Sequence, residues 1–244
     1  MSSQPLKNQC ALVTGGSRGY GAGIAKALVE AGARVYITGR NEETLRRSAA
    51  ATGAHPLVAD VTSAADWERV RAAIEAESAG VDLLINNAGA AVRIADVEAQ
   101  SPEEIAAVIA VNLTGPILGV RALLPGMKQR GRGTILNLSS ICDHQSWPGW
   151  TIYGAAKAGL RKFSEGLYTE CRPHGVRVTT LTPSWGRTGF QEAANLDGFD
   201  AATAAAVTGP EELGAVVVQL CALPGHLTAL EMTLLPLVQE IVPY

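Results

Sequence analysis

The chain has 244 residues, 47% of them hydrophobic and 18% charged, with 26 Gly and 12 Pro. This is a globular composition, long enough to build a full core without disulfide or metal staples. Its 20 basic and 23 acidic residues leave a formal charge of -3 with no block of one sign, which sets nucleic acid aside as a partner. The apolar stretches 213–223 and 232–238 are too short or too broken by Pro to span roughly 30 Å of hydrocarbon. The polar start, 1–8, has no signal-type core, so a soluble, cytoplasmic protein without membrane contact is expected.

In chain order, short β-branched or apolar runs alternate with longer Ala-rich segments of helical period, the signature of repeated βαβ units and a parallel sheet. Seven strands are expected, at 10–14, 34–38, 55–59, 83–86, 134–138, 177–181 and 231–235. Helices are expected between them at 21–31, 42–51, 64–78, 102–124, 152–172 and 210–223. Residues 195–208 are Ala-rich but weakly patterned and suit a mobile lid. No linker divides the chain, so residues 1–244 read as one α/β domain, a doubly wound parallel sheet flanked by helices.

The first strand runs into Thr14-Gly15-Gly16-Ser17-Arg18-Gly19-Tyr20-Gly21 and then into a helix. Backbone N–H groups at a helix start can face a pyrophosphate only where no Cβ blocks the approach. Gly15, Ser17, Arg18, Gly19, Tyr20 and Gly21 are therefore cofactor-binding candidates. The second strand ends Thr38-Gly39-Arg40, where an NAD site would place an acid for the ribose 2′-hydroxyl. Gly39 removes that acid, and Arg40 with Arg18 can instead neutralise a 2′-phosphate. NADP(H) is the expected cofactor. The four Cys and four His match no metal spacing; no metal site is expected, and the Cys read as buried thiols.

Tyr153-Gly154-Ala155-Ala156-Lys157 sets Tyr and Lys four apart, on one helical face. With the chain's few Tyr and Lys, this pair arises by chance about 0.1 times, so its neighbours carry the weight. Ser140 ends the strand Ile135-Leu136-Asn137-Leu138, Asn86-Asn87-Ala88-Gly89 closes the fourth strand, and Asn112 falls within the fourth helix.

In this order, from about residue 10 to 188, these residues resemble the short-chain dehydrogenase/reductase family. The resemblance implies a Rossmann-type domain with a seven-stranded parallel β-sheet. It also implies Tyr153 as acid/base, Lys157 as its partner, Ser140 as donor to the substrate carbonyl and Asn112 as proton-relay residue. Asp60 and Val61 would contact adenine. Asn87, Ala88 and Gly89 would lie beside the nicotinamide ribose, and Pro183 and Thr188 near the carboxamide and phosphates. A homodimer or homotetramer is implied in the same way. A phenol has a pKa near 10, and a cation about 4 Å away stabilises its anion, so Lys157 is expected to draw Tyr153 downward.

The segment 142–150 joins Ser140 to Tyr153. With Trp185 and Phe190, its Trp147 and Trp150 form a candidate aromatic wall for a bulky or ring-containing carbonyl substrate. Asp143 and His144 are candidates for a polar contact or second acid/base. Ser184, Tyr20 and the C-terminal stretch 230–244 depart from the family pattern, and the apolar tail 234–244 suits a subunit contact. The activity expected is an NADP(H)-dependent carbonyl reductase or alcohol dehydrogenase. The alternatives are an NAD(H) enzyme and a non-catalytic NADP(H)-binding regulatory protein.

Overall fold

The computed structural model describes residues 4–91, 93–194 and 197–240. Residues 195–196 of the expected lid and 241–244 of the tail lie outside this range. Seven strands form one sheet: β1 (Cys10–Thr14), β2 (Arg34–Gly39), β3 (His55–Val58), β4 (Leu83–Asn86), β5 (Gly133–Leu138), β6 (Val176–Pro183) and β7 (Glu231–Leu234). Every pairing is parallel, in the order β3-β2-β1-β4-β5-β6-β7. The order reverses between β1 and β4, so the crevice beyond the carboxyl ends of these strands is where such a sheet binds ligands.

The helices are α1 (Gly19–Glu30), α2 (Glu42–Thr52), α3 (Ala64–Glu75), α4 (Pro102–Ile109), α5 (Gly115–Arg130), α6 (Thr151–Cys171), the short α7 (Phe190–Ala193) and α8 (Ala201–Ala206), and α9 (Pro210–Cys221). Caps fix several starts: Asn41 and Ser63 accept from Thr44 N and Asp66 N, and Ser101 with Glu104 forms a reciprocal capping box. Alternation in the buried strands divides the core by face. Ala11 and Val13 point into a cluster with Ile24, Leu28, Leu213 and Val217 from α1 and α9. Cys10 and Leu12 point into one with Trp67, Val70, Leu123 and Met127 from α3 and α5.

The sequence places one helix at 102–124; the structure extends it through Pro125 to Arg130 and interrupts it with a π turn over Ala110–Thr114. Pro125 cannot donate to the preceding turn, but Leu123 and Met127 on either side are buried, and this packing carries the helix past it. The 102–130 stretch is long and apolar enough to cross a membrane by length and composition, yet Val108, Val120, Leu123 and Met127 are buried within the protein. Part of the weakly patterned 195–208 segment is ordered as α8. All four Cys are buried and free.

The approach of α3 to α5 depends on Gly119. A Cβ there would lie 2.6 Å from Cη2 of Trp67, whose indole is buried and pinned by Nε1 donating to Val61 O at 2.8 Å. Gly119→Ala is expected to cost about 2 kcal/mol and lower Tm by about 4–8 °C in a thermal melt. An unchanged Tm would show that the two helices can part freely.

Candidate active site

The glycine turn between β1 and α1 is shaped by contacts that exclude side chains. Gly15 has φ +68°, and a Cβ there would lie 2.9 Å from Ala88 Cα. A Cβ on Gly21 would lie 2.2 Å from Gly15 O, and one on Gly19, at φ +55°, would lie 3.2 Å from Thr188 Cβ. Thr14, not anticipated from the sequence, fastens the turn to the end of β4. Its Oγ1 accepts from Asn87 N and Ala88 N, both at 3.0 Å, while Asn87 Nδ2 donates to Thr14 O at 2.8 Å. The result is an open backbone cradle at a helix N-terminus, bounded by Asn87–Ala88 on one side and Thr188 on the other, which fits a pyrophosphate.

At the end of β2 a Cβ on Gly39 would lie 2.5 Å from Ser17 Oγ, so the Ser17 hydroxyl occupies the corner an acidic side chain would need. Arg40 follows at the surface. Neither Arg40 nor Arg18 has an ion pair or side-chain hydrogen bond among the described residues. Arg18 extends the other way from the corner the sequence suggests, its Nη1 3.4 Å from where a Gly189 Cβ would stand. Tyr20 likewise turns from the cradle: its hydroxyl lies against Gly186. Thr38, Ala59, Asp60, Val61, Trp67 and Val70 line a niche beside β2 and β3. The Thr38 hydroxyl is buried there without a hydrogen-bond partner among the described residues, while Asp60 Oδ1 accepts from Thr62 N at 2.8 Å.

Lys157, on α6, is 3% exposed, with Nζ donating to Leu138 O at 2.8 Å and standing 5.7 Å from the Tyr153 ring centroid. Burial pulls its pKa down to about 8, opposed chiefly by the negative charge of Asp143. Tyr153 does not show the lowering expected from its sequence neighbour. Burial pushes its phenol well above 10, Cys142 and Asp143 add to this, and only the Ser140 hydroxyl opposes it. The physical reason is the aromatic cover: Trp150 lies 5.6 Å and Phe190 5.5 Å from the Tyr153 ring.

Asn112 sits in the π turn, fully buried. Its Nδ2 donates to Val108 O at 2.8 Å and Ala90 O at 2.6 Å, and its Oδ1 accepts from Ala90 N at 3.3 Å. A Cβ on Gly89 would stand 3.1 Å from Asn112 Oδ1 and 3.7 Å from Lys157 Nζ, so glycine keeps the space between them open. Such π turns recur at functional sites because they re-aim a side chain without ending the helix.

Trp147, Trp150 and Phe190 pack with Tyr153, Ile141, Cys142 and Ala194 in a cluster of their own. Trp150 stacks on Phe190 at 6.2 Å and 17°. Trp185 leaves this group: it is 41% exposed and pairs with Phe199 at 5.3 Å. Pro183 is buried at the end of β6. Among the described residues no group of three or more His, Cys, Asp and Glu is placed to hold a metal ion.

The strand order, the glycine cradle and the grouping of Ser140, Tyr153, Lys157 and Asn112 define a dinucleotide-dependent oxidoreductase on a Rossmann-type sheet. Residues 9–197 match the family model described as short chain dehydrogenase. The chain belongs to the short-chain dehydrogenase/reductase family. It is 35% identical over 238 residues to the NADP-dependent 3-hydroxy acid dehydrogenase YdfG of Salmonella typhi, covering 94% of this chain and 95% of that one. It is 34% identical to the serine 3-dehydrogenase of Agrobacterium fabrum, covering 73% and 72%. Among solved structures, the closed form of a serine dehydrogenase complexed with NADP+ superposes with a TM-score of 0.88 at 30% identity, covering 97% and 98%. A metagenomic short-chain oxidoreductase in complex with NADP gives 0.82 at 30% identity, covering 96% and 100%. The protein is an NADP-dependent enzyme of this family.

Lys157 supplies a stability test. The unfolded chain keeps this proton up to about pH 10.5 and the folded protein only to about 8. Stability therefore rises with pH between these values, and the penalty is fully present below about 8. Lys157→Met removes a penalty whose upper bound is about 3 kcal/mol, partly offset by the lost bond to Leu138 O. The same substitution leaves the buried Asp143 carboxylate without that cation, so the pH dependence carries the test: the stability of the native protein relative to Lys157→Met is expected to rise between about pH 8 and 10.5 in thermal melts. A difference that stays constant across this window would contradict the buried-cation account.

Proposed function

We propose that the protein reduces bulky or ring-containing ketones with NADPH, and oxidises the matching alcohols in reverse. The observation carrying this reading is the stacked Trp150–Phe190 pair beside the Tyr153 ring, a wall that favours a flat or bulky substituent next to the carbonyl. NADP(H), when bound, supplies or takes the hydride. Gly15, Ser17, Gly19 and Gly21 would hold its pyrophosphate, and Asp60 and Val61 the adenine. Asn87, Ala88 and Gly89 would flank the nicotinamide ribose, and Pro183 and Thr188 the carboxamide side. Arg40 would take the 2′-phosphate in the corner that Ser17 denies to an acid; Arg18, against Gly189, would serve the phosphates from the other side.

On the substrate, Ser140 Oγ donates to the carbonyl oxygen and stabilises the charge that develops there. Tyr153 delivers its hydroxyl proton to the same oxygen. Lys157, whose ammonium titrates near 8, returns a proton to that side of the site, and the opening beside Gly89 leads from Nζ to Asn112. An assembly of two or four copies in the cytoplasm belongs to the same reading.

A second reading, a 3-hydroxy acid substrate, is supported by the names of the relatives. It needs a cation free to take a carboxylate. Arg93, beside the cluster residue Ile94, is already held by Glu104 at 3.1 Å, and Arg187 donates to Ala204 O at 3.3 Å. Arg187 keeps its charge and Arg18, beside Gly189, has no partner among the described residues, so it is the Trp150–Phe190 wall that favours the ketone reading.

A panel of aryl ketones and 3-oxo acids, assayed with NADPH and NADH side by side, decides between them. Higher kcat/KM for aryl ketones is expected; preference for the oxo acids would replace the first reading with the second. Tyr153→Phe is expected to lower kcat by about 10²–10⁴ with NADPH binding retained, and unchanged turnover would sink the mechanism. Arg40→Ala is expected to raise the KM for NADPH about tenfold or more while leaving NADH nearly unaffected; equal effects would refute its assignment to the 2′-phosphate.

A further inference from the structure

Behind Ser140 lies a polar cluster that this mechanism does not use. The Asp143 side chain is completely buried. Ser139 donates a short hydrogen bond to its Oδ2, and Thr182, from β6, approaches the same oxygen at 3.5 Å. His144 Nε2 stands 3.2 Å from Asp143 Oδ1 and 2.7 Å from Glu231 Oε1, at the start of β7. Ser139 Oγ is also 3.4 Å from the main-chain oxygen of Lys157. Thus three consecutive residues divide the work at the end of β5. Leu138 O holds the Lys157 ammonium, Ser139 ties Asp143 to the Lys157 backbone, and Ser140 presents the reacting hydroxyl.

A carboxylate this deeply buried is costly unless it is hydrogen-bonded or faces positive charge. The charged and titratable groups around it are Lys157, Tyr153 and Arg161 from α6, Glu231 from β7, and its neighbours Cys142 and His144. Lys157 is the buried cation of the group.

We infer that Asp143 is a positioning residue for this site: its sequestered carboxylate is the counter-charge that retains the Lys157 ammonium and sets the pH at which the Tyr153–Lys157 pair gives up a proton. The signs agree with this role. Asp143 raises the Lys157 pKa against the lowering by burial, and it raises that of Tyr153. Burial raises Asp143's own pKa, but the Ser139 bond, His144 and Arg161 all favour its charged form. Glu231 opposes them, and His144 stands between the two carboxylates.

Asp143→Asn keeps the shape and removes the charge. Both proton-loss steps of the Tyr153–Lys157 pair then move down together. Reduction needs the phenol protonated, so the alkaline fall of kcat/KM for ketone reduction is expected to move about one unit lower in pH. Ser139→Ala, which weakens the hold on the charged carboxylate, is expected to move it the same way by less, and it decides the matter if Asp143→Asn does not fold. Because the inference rests on Tyr153 as acid/base, a readout independent of turnover accompanies it. This is an ultraviolet tyrosinate titration of the NADP+ complex, with Tyr153→Phe as the blank for the Tyr153 signal. A downward shift of that midpoint in Asp143→Asn, even where no ketone in the panel reacts, separates a wrong substrate class from a wrong role for Asp143. A midpoint and alkaline limb that stay in place, or move up, in a folded variant that still binds NADPH would overturn the inference.

Discussion

The catalytic end of the molecule depends on how α6 is fastened to β5. Asn137 Nδ2 donates to Ser164 Oγ at 2.8 Å, Leu138 O accepts from Lys157 Nζ at 2.8 Å, and Ser139 Oγ reaches Lys157 O at 3.4 Å. Asn86 Nδ2 extends the same chain to β4 by donating to Asn137 Oδ1 at 2.8 Å. These are buried polar contacts in a region of low dielectric, where a missing partner costs far more than an average hydrogen bond contributes. They fix the register of α6 along the sheet, and with it the heights of Tyr153 and Lys157 above the strand ends.

The glycine turn gains its rigidity from outside itself. Thr14 joins it to the end of β4, and Thr188 closes over Gly19 from the loop after β6, so three strand ends converge on one cradle. The π turn in the long helix works by the same logic: a local irregularity is held by specific bonds, here from Asn112 to both faces of Ala90. Cofactor cradle and acid/base pair thus share β4 and its following segment as a common wall.

Much of this was legible in the sequence because it is local. Strand positions follow from runs of apolar residues, the Tyr153–Lys157 face from a spacing of four, and the cradle from glycines between a strand and a helix. What was not legible depends on distant packing. The sequence offers Phe190 only for a substrate wall; that it covers the Tyr153 ring, and so raises the phenol pKa rather than letting Lys157 lower it, comes from packing. Trp185 looked equivalent to Trp147 but sits on the outer side of its loop with Phe199. Arg18 looked like a partner of Arg40 but lies against Gly189. The helix expected over 102–124 continues through Pro125, because buried neighbours on both sides carry it onward. The bridge from Asp143 through His144 to Glu231 joins residues far apart in the chain, and no periodicity announces it.

Ser17 and Gly39 occupy one small volume between them, so a change at either position is felt at the other. A side chain at 39 must turn the Ser17 hydroxyl out of its place, and a larger residue at 17 requires glycine to remain at 39. The room for a side chain at 39 is therefore set by position 17 as well as by 39 itself.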